Sequence, residues 1–351
     1  MMTSNFYFKA AGFGLILIVP LLPALGYHHG TAWLTPAVVF IVFPIAGLLS
    51  GNDKSSAPAR IGAMAWLKNY LYVLPLAFVP IWIGSLAWGA SLLASNPFSG
   101  WQIGGLLFSL SITSAFATCV AHELQHRLGG LDRAVARAVM AICGYGHLLL
   151  EHHHHHATVG DCDIGGTPRK GEASYHFVVR NVIQGAINGW PAECRRLELR
   201  GQGWWQNRII QDYSIALGVA VAFWVAWGGW GLAVFTSQAL FAIFAIEMIT
   251  YIQHYGVTRE ADERIGSQHA WAHNCWLTNC ITLNITHHSE HHMNPVKPYY
   301  ELRSDPLAPH LPACYFVMFI AALFPPIWRW VMDGRDFGNA LQRQPNSGIL
   351  S

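Results

Sequence analysis

Gln102-Ile-Gly-Gly-Leu-Leu-Phe-Ser-Leu-Ser-Ile-Thr-Ser-Ala-Phe-Ala-Thr-Cys-Val-Ala-His122-Glu-Leu-Gln-His126 opens with twenty residues that carry no charge and closes on a histidine pair. A helix of that length crosses about 30 Å of hydrocarbon, because each residue rises about 1.5 Å. The end differs in kind. His122 and His126 stand four apart, so one helix face aims two ring nitrogens at a single spot. The stretch predicts a membrane span that delivers metal ligands at its polar end.

The rest of the chain follows the same plan. No Lys or Arg occurs from 10 to 53, from 69 to 126 or from 209 to 258. Of the 351 residues 53% are hydrophobic and only 11% charged, against about 25% charged in soluble domains. These features predict an all-α integral membrane protein, a six-helix bundle with spans near 10–27, 33–50, 70–93, 102–121, 212–229 and 232–252. Residues 1–351 read as one domain, with a histidine-rich cytoplasmic cap formed by segments 122–211 and 254–310. The turns Gly26-Tyr-His-His-Gly30, Ser95-Asn-Pro-Phe-Ser-Gly100 and Gly228-Gly-Trp-Gly231 lack Lys and Arg, whereas Lys54, Arg60, Lys68, Arg127, Arg195, Arg196, Arg200, Arg259 and Arg264 fall in the alternate loops. The positive-inside rule therefore places those loops, both termini and every histidine cluster in the cytoplasm. The first apolar run leads through a short turn straight into a second, which argues against a cleaved signal peptide. The net charge of +2, with no basic patch interleaved with aromatics, gives no reason to expect a nucleic acid partner.

Within the cap, Ala134 to Glu151 is apolar enough to form a buried or interfacial helix leading to a second histidine cluster. Asp161-Cys-Asp-Ile-Gly-Gly-Thr-Pro168 reads as an ordered loop, and Gly201-Gln-Gly-Trp-Trp-Gln206 as an interfacial aromatic anchor. The last apolar run, Leu311 to Trp330, should break at Pro325-Pro326.

Two further clusters share one geometry. His152-His-His-His155-His156 and His288-Ser-Glu-His291-His292 both place histidines at i, i+3 and i+4. On a helix His152, His155 and His156 lie on one face and leave His153 and His154 outward. The first cluster also matches the His-Glu-x-x-His pattern of zinc proteases. A protease, however, needs only one more ligand. So many clustered imidazoles exceed the three or four that one tetrahedral ion takes, and about two ions fit better. His254 stands alone at a helix end, and its spacing leaves ligation open, as it does for His269, His273 and His287. Glu123, Glu151, Asp161 and Glu290 are expected to bond the second nitrogen of ligand rings. Glu247 lies within the last span, where a carboxylate is costly unless paired, so it reads as such an outer partner or as a ligand.

Cys119, Cys143, Cys162, Cys194, Cys275, Cys280 and Cys314 include no Cys-x-x-Cys pair. The chain thus has no iron–sulfur or rubredoxin-type module of its own, and electrons must come from a partner. Arg195, Arg196, Arg200 and Arg208 form a basic cluster suited to an acidic carrier.

At these residues the chain resembles the membrane alkane monooxygenase family, including its xylene methyl-hydroxylase branch, within the fatty-acid-desaturase-like superfamily. The resemblance rests on His122-Glu-Leu-Gln-His126, Glu151-His152 with His155-His156, Gln253-His-Tyr-Gly256, Leu283-Asn-Ile-Thr-His-His-Ser-Glu-His-His-Met-Asn-Pro295 and Phe324-Pro-Pro-Ile-Trp-Arg329. It implies a non-haem di-iron centre of two Fe ions held by His122, His126, His152, His155, His156, His254, His288, His291 and His292, with O2 as co-substrate. It also implies hydroxylation of a terminal methyl group on an alkane or alkyl-aromatic hydrocarbon drawn from membrane lipid. The expected electron source is an NAD(P)H reductase acting through a rubredoxin or ferredoxin-type carrier, and the expected location an inner membrane of bacterial type. Two residues separate His152 from the pair, as in desaturases, and His287 stands where Arg is common. A fatty acyl desaturase or a decarboxylating enzyme forming terminal alkenes is therefore the alternative outcome of the same centre. A histidine-rich metal transporter would show midplane ligands and repeated halves, which this sequence lacks.

Overall fold

A computed structural model describes residues 4–53, 64–260 and 262–335. Lys54 and Arg60, part of the loop-charge expectation, lie outside these residues, as do the extreme termini 1–3 and 336–351. Among the described residues the regular structure is helical, with only isolated bridges at Asn52–Cys275 and Ala272–His310.

Four helices are long and apolar enough to cross a membrane: α1 (Tyr7–His28), α3 (Ala65–Ser95), α4 (Gly100–His126) and α8 (Arg208–His254). The shorter apolar α2 (Leu34–Ser50) lies between the first two. The segments outside these helices carry α5 (Gly130–Ile142), α6 (Leu148–Thr158), α7 (Ser174–Leu199), α9 (Trp276–Ile281) and α10 (His288–Met293). Two short helices close the described chain, α11 (Tyr315–Ala322) and α12 (Pro325–Met332), separated where the proline pair begins.

Local chemistry accounts for the helix ends. Ser99 and Gln102 cap α4 reciprocally: the Ser99 Oγ accepts from the Gln102 amide at 3.4 Å, and the Gln102 Oε1 accepts from the Ser99 amide at 3.0 Å. The Asn207 Oδ1 caps α8 through the Ile210 amide at 3.2 Å. Midway along α8, Trp227 and Gly228 leave helical geometry, and Gly228 takes a φ of +58°. The chain folds back there, because a Cβ on Gly231 would sit 2.0 Å from the Phe223 carbonyl oxygen. This is the glycine-rich turn expected from Gly228 to Gly231.

One expectation fails. Ala134 to Glu151 is two helices rather than one, since Gly144 adopts a φ of +73° between α5 and α6. A left-handed residue ends a helix, and glycine takes it without a Cβ clash.

The axis of the bundle is α4, buried almost continuously from Gly105 to Gln125. Its hydroxyls satisfy themselves on nearby carbonyls, as Thr113 does on Leu110 at 2.6 Å and Thr118 on Ala115 at 2.7 Å. Ser114 instead accepts from the Trp82 indole of α3 at 3.0 Å. Small residues let partners close in: a Cβ on Gly89 would meet Leu110 at 2.3 Å, and one on Gly105 would meet Trp33 at 2.6 Å. The buried Lys9–Asp53 pair, at 2.5 Å, ties α1 to the strand-like residues 51–53. These contacts hold the polar ends of α4 and α8 beside α6 and α10.

Candidate metal centre

Four helices bring the histidines together. His122 and His126 end α4, His254 ends α8, His152, His155 and His156 ride on α6, and His288, His291 and His292 on α10. They form two groups, within each of which the ligand-type atoms all lie within 4.8 Å of one another. One holds His122, His126, His152, His156 and His291; the other holds His155, His254, His288 and His292. The H-x-x-H-H motifs explain the split. Positions i and i+4 share a line down the helix while i+3 is turned about 100° from i+4, so each motif sends a pair to one group and a single ring to the other. His152 and His156 go one way and His155 the other; His288 and His292 go one way and His291 the other.

The spacing suits shared ions. Nε2 atoms approach at 2.9 Å for His126–His152 and His152–His156, and at 3.2 Å for His156–His291. In the second group the separations are 3.1 Å for His155–His254 and 3.0 Å for His254–His288 and His288–His292. Neighbouring nitrogens each about 2.1 Å from one ion stand roughly 3 Å apart when at right angles. The tautomers decide against simple hydrogen bonds. His155 donates its Nδ1–H to the Gly165 carbonyl at 2.7 Å, and His254 donates its own to the His269 carbonyl at 3.2 Å. Each ring's Nε2 is then a lone pair, and two lone pairs facing at 3.1 Å repel unless a cation lies between. The buried His122 Nε2 likewise has no protein partner.

Protons do not fill this role at neutral pH. Burial, reinforced for most of these rings by the charge of neighbouring imidazoles, pushes His156 down to about 2 and holds His152, His288, His291 and His292 well below the ordinary 6.5. Burial likewise lowers His155 to about 4. Neutral imidazole is the ligating form.

The carboxylates expected to orient these rings bond other groups. Glu123 accepts from Arg127 at 3.2 Å, and Glu290 from Lys297 and the Arg303 amide. Asp161 accepts the amides of Asp163 and Ile164 at 2.8 and 3.1 Å and so shapes the turn that presents Gly165. Glu247 accepts from the Tyr145 hydroxyl at 2.6 Å and from Asn181 at 2.7 Å, with Glu151 beside the same Asn181. Glu151 is held well above the ordinary carboxylate range by burial and then by the charge of Glu247. A carbonyl is a weaker sequence signal than a carboxylate, since every residue has one. Only the turn chemistry of Asp161 to Gly166 marks the spot.

The remaining histidines stand apart. His153 and His154 are exposed, and His153 donates to the Leu149 carbonyl at 2.5 Å. His287 faces Asn279 and Asn274 at 3.2 and 3.1 Å, and His269 pairs with Glu263 at 3.2 Å while its carbonyl holds His254. His273 belongs to neither group.

Two neighbouring spaces lie beside the centre. An apolar cavity of about 70 Å³ lies between α2, α4, α8 and α11, lined by Phe40, Phe116, Phe241 and Phe319. A polar one of about 20 Å³ is bordered by His122, His152, His155 and His288, and Ile246 and Ile285 line both.

Fold and donor set define an integral membrane protein with two histidine clusters able to bind metal. Residues 99–315 match the model of the fatty acid desaturase family, and the chain belongs to that family of non-haem iron enzymes. It is 32% identical to alkane 1-monooxygenase 1 of Pseudomonas aeruginosa over 318 residues, covering 87% of this chain and 83% of that protein. The alkane 1-monooxygenase of Ectopseudomonas oleovorans is also 32% identical, over 83% of this chain and 74% of its own. The xylene/toluene monooxygenase hydroxylase component XylM of Pseudomonas putida is 29% identical over 90% of this chain and 85% of its own.

Proposed function

We propose that this chain is a membrane di-iron monooxygenase that hydroxylates a terminal methyl group of an alkane or alkyl-aromatic hydrocarbon. The observation that carries the substrate class is the apolar cavity sharing Ile246 and Ile285 with the histidine-bordered space. A hydrocarbon drawn from the lipid into the space among Phe40, Phe116 and Phe241 stays in apolar surroundings and needs no polar contact to hold it. Its end would reach past Ile246 toward His122 and His288.

One iron would be held by His122, His126, His152, His156 and His291, and a second by His155, His254, His288 and His292. Iron there supplies the two-electron activation of O2 that C–H hydroxylation needs. One methyl group, one O2, two electrons and two protons give one primary alcohol and one water. The protein's part is positional. Gly165 and His269 carbonyls orient His155 and His254, the phenylalanines exclude water from the chain, and Ile246 and Ile285 set how far it advances.

The same reading takes the chain as one domain with six crossings, counting α1, α2, α3, α4 and the two legs of α8. Segments 122–211 and 254–310 and both termini would be cytoplasmic, in an inner membrane of bacterial type. Electrons would come from NAD(P)H through a reductase and a rubredoxin or ferredoxin-type carrier.

Whole cells expressing the protein are to be given an n-alkane, an alkylbenzene and a medium-chain fatty acid, with products identified by mass spectrometry. Terminal alcohols from the first two are expected. Alkenes alone, from the fatty acid alone, would replace this reading by desaturation or decarboxylation. Purified protein with NADH and O2 should stay inactive until reductase and carrier are added.

A further inference from the structure

Beyond Tyr175 at its start, which stacks on Phe244 and donates to the Leu323 carbonyl at 2.7 Å, helix α7 has a face that neither the bundle nor the metal centre uses. Its buried side is Phe177, Val178, Asn181, Gly185 and Gly189. On a different side Tyr175, Val179, Ile183, Ile187 and Trp190 are all exposed. At about 100° per residue these five fall within a sector of roughly 120°, next to the buried sector. The exposed Glu198 projects from between the two, and the exposed Arg195 from the edge of the buried sector, both off the apolar stripe.

The placement of α7 says what covers that face. Its N-terminal end meets the last leg of α8, where Tyr175 stacks near Phe244 at 6.2 Å and Phe177 near Tyr251 at 5.7 Å. Its C-terminal end meets the first leg, where Glu193 accepts from the Arg208 amide at 2.8 Å and Gly189 abuts Ile209. A straight helix of the 47 residues in α8 would be about 70 Å long, whereas the 26 of α7 span about 39 Å. Both ends of α8 can touch α7 only because α8 folds back at Gly228. The two ends of α8 therefore lie at the same membrane face, and α7 runs along that face from one to the other. Phe244 lies ten residues before His254, about 15 Å toward the membrane interior. Tyr175, which reaches it, sets the uncovered stripe on the bilayer side, and the exposed Trp204 and Trp205 continue it to the start of α8.

We infer that α7 lies in the interfacial plane of the bilayer, with Tyr175, Val179, Ile183, Ile187 and Trp190 inserted among lipid chains and Arg195 and Glu198 in water. The occupant of the face is the lipid bilayer itself, continuous with the lipid around the spans. Indole and phenol rings suit that boundary, and an apolar stripe beside a polar one suits a helix lying in it. The cap is then partly a membrane element, and α6 is held against the bilayer through α7.

The test uses the full chain in phosphatidylcholine–phosphatidylglycerol nanodiscs, with Cys162 and Cys194 replaced by Ser. Nitroxides are placed singly through Ile183→Cys, Ile187→Cys, Arg195→Cys and Glu198→Cys. Ile183 and Ile187 are 53% and 63% exposed, so a label displaces no packing. Collision with O2 should exceed collision with a water-soluble nickel chelate several-fold at 183 and 187, and the ratio should invert at 195 and 198. Chelate access at 183 and 187 equal to that at 195 would overturn the inference in favour of a water-facing helix. Shielding from both, with dipolar coupling between two copies, would overturn it in favour of a dimer face. On the unsubstituted protein, a photoactivatable phosphatidylcholine should label the peptide containing 175–190 and spare 153–165; the absence of adducts in 175–190 would count equally against it. Neither readout involves turnover, so the result stands apart from the substrate proposed above.

Discussion

The two histidine groups are built from the same helices and differ in how they are held. His155, His254, His288 and His292 are all buried, and two of them are fixed through Nδ1 to the Gly165 and His269 carbonyls. In the other group His126, His152 and His156 are half-buried, and among the described residues no ring of that group is bonded to a carbonyl. A ring oriented by an outer partner keeps its tautomer and binds metal more tightly, while a ring at the rim exchanges more freely with water. The difference teaches that one group is preorganised and the other accessible. A chelator should remove metal from the five-histidine group first.

The largest effect comes from removing a ligand. His254→Ala and His126→Ala should each lower hydroxylation by at least about 100-fold and bound iron from about two per chain to about one. Elemental analysis after brief chelator treatment separates them. His126→Ala should keep the tightly held iron and His254→Ala should lose its remaining iron quickly. Equal loss from both would abolish the comparison.

A smaller effect follows from disturbing the anchor alone. A Cβ on Gly165 would lie 2.0 Å from the Thr158 carbonyl oxygen, so Gly165→Ala must move the carbonyl that holds His155. Iron affinity of the four-histidine group should fall by about 10- to 100-fold, with the other group unchanged. Titration of metal-free protein with Fe(II), read by the two binding steps, checks this. A parallel loss in both steps would show that the groups are not independent.

Next is pH. Burial lowers His155 to about 4 and His287 to about 3, while in the unfolded chain both titrate near the ordinary 6.5. Between those limits the folded state binds fewer protons than the unfolded one. Stability of the metal-free protein should therefore be full above about pH 6.5 and fall as the pH drops toward 4. The thermal midpoint at pH 5 should be lower than at pH 7, and less so with iron bound. A flat profile would place these rings in contact with water.

The smallest effect marks the boundary of the site. His153→Ala removes an exposed ring that bonds only the Leu149 carbonyl and should change iron content and rate by less than about two-fold. A loss comparable to His155→Ala would extend the centre to the outer face of α6.

Local periodicity made the ligand candidates legible. His122 with His126, and the two H-x-x-H-H runs, declare themselves because a helix turns by a fixed angle per residue. His254 had no such partner in sequence, and only the approach of α8 to α6 and α10 puts it 3.1 Å from His155. The outer partners of His155 and His254 are hidden for a related reason: carboxylates stand out in a sequence, whereas the carbonyls of Gly165 and His269 do not. The single helix expected from Ala134 to Glu151 breaks at Gly144, whose left-handed φ of +73° apolar composition does not reveal. Leu283 and Asn284, with φ of 53° and 56°, were equally hidden; a buried bond from Asn284 to the Tyr299 carbonyl at 2.7 Å accompanies that turn into α10.

The amino-acid sequence by itself determined that this chain enters a membrane, where its long apolar runs lie, and which imidazoles share a helix face, because hydropathy and helical period act over neighbouring residues. The tertiary structure alone decided that nine of those imidazoles divide into five and four, which group is anchored, and which side of α7 is left uncovered. These depend on distances between residues far apart in the sequence, and such distances are set by how helices pack, with small residues such as Gly89 and Gly105 letting their neighbours close in.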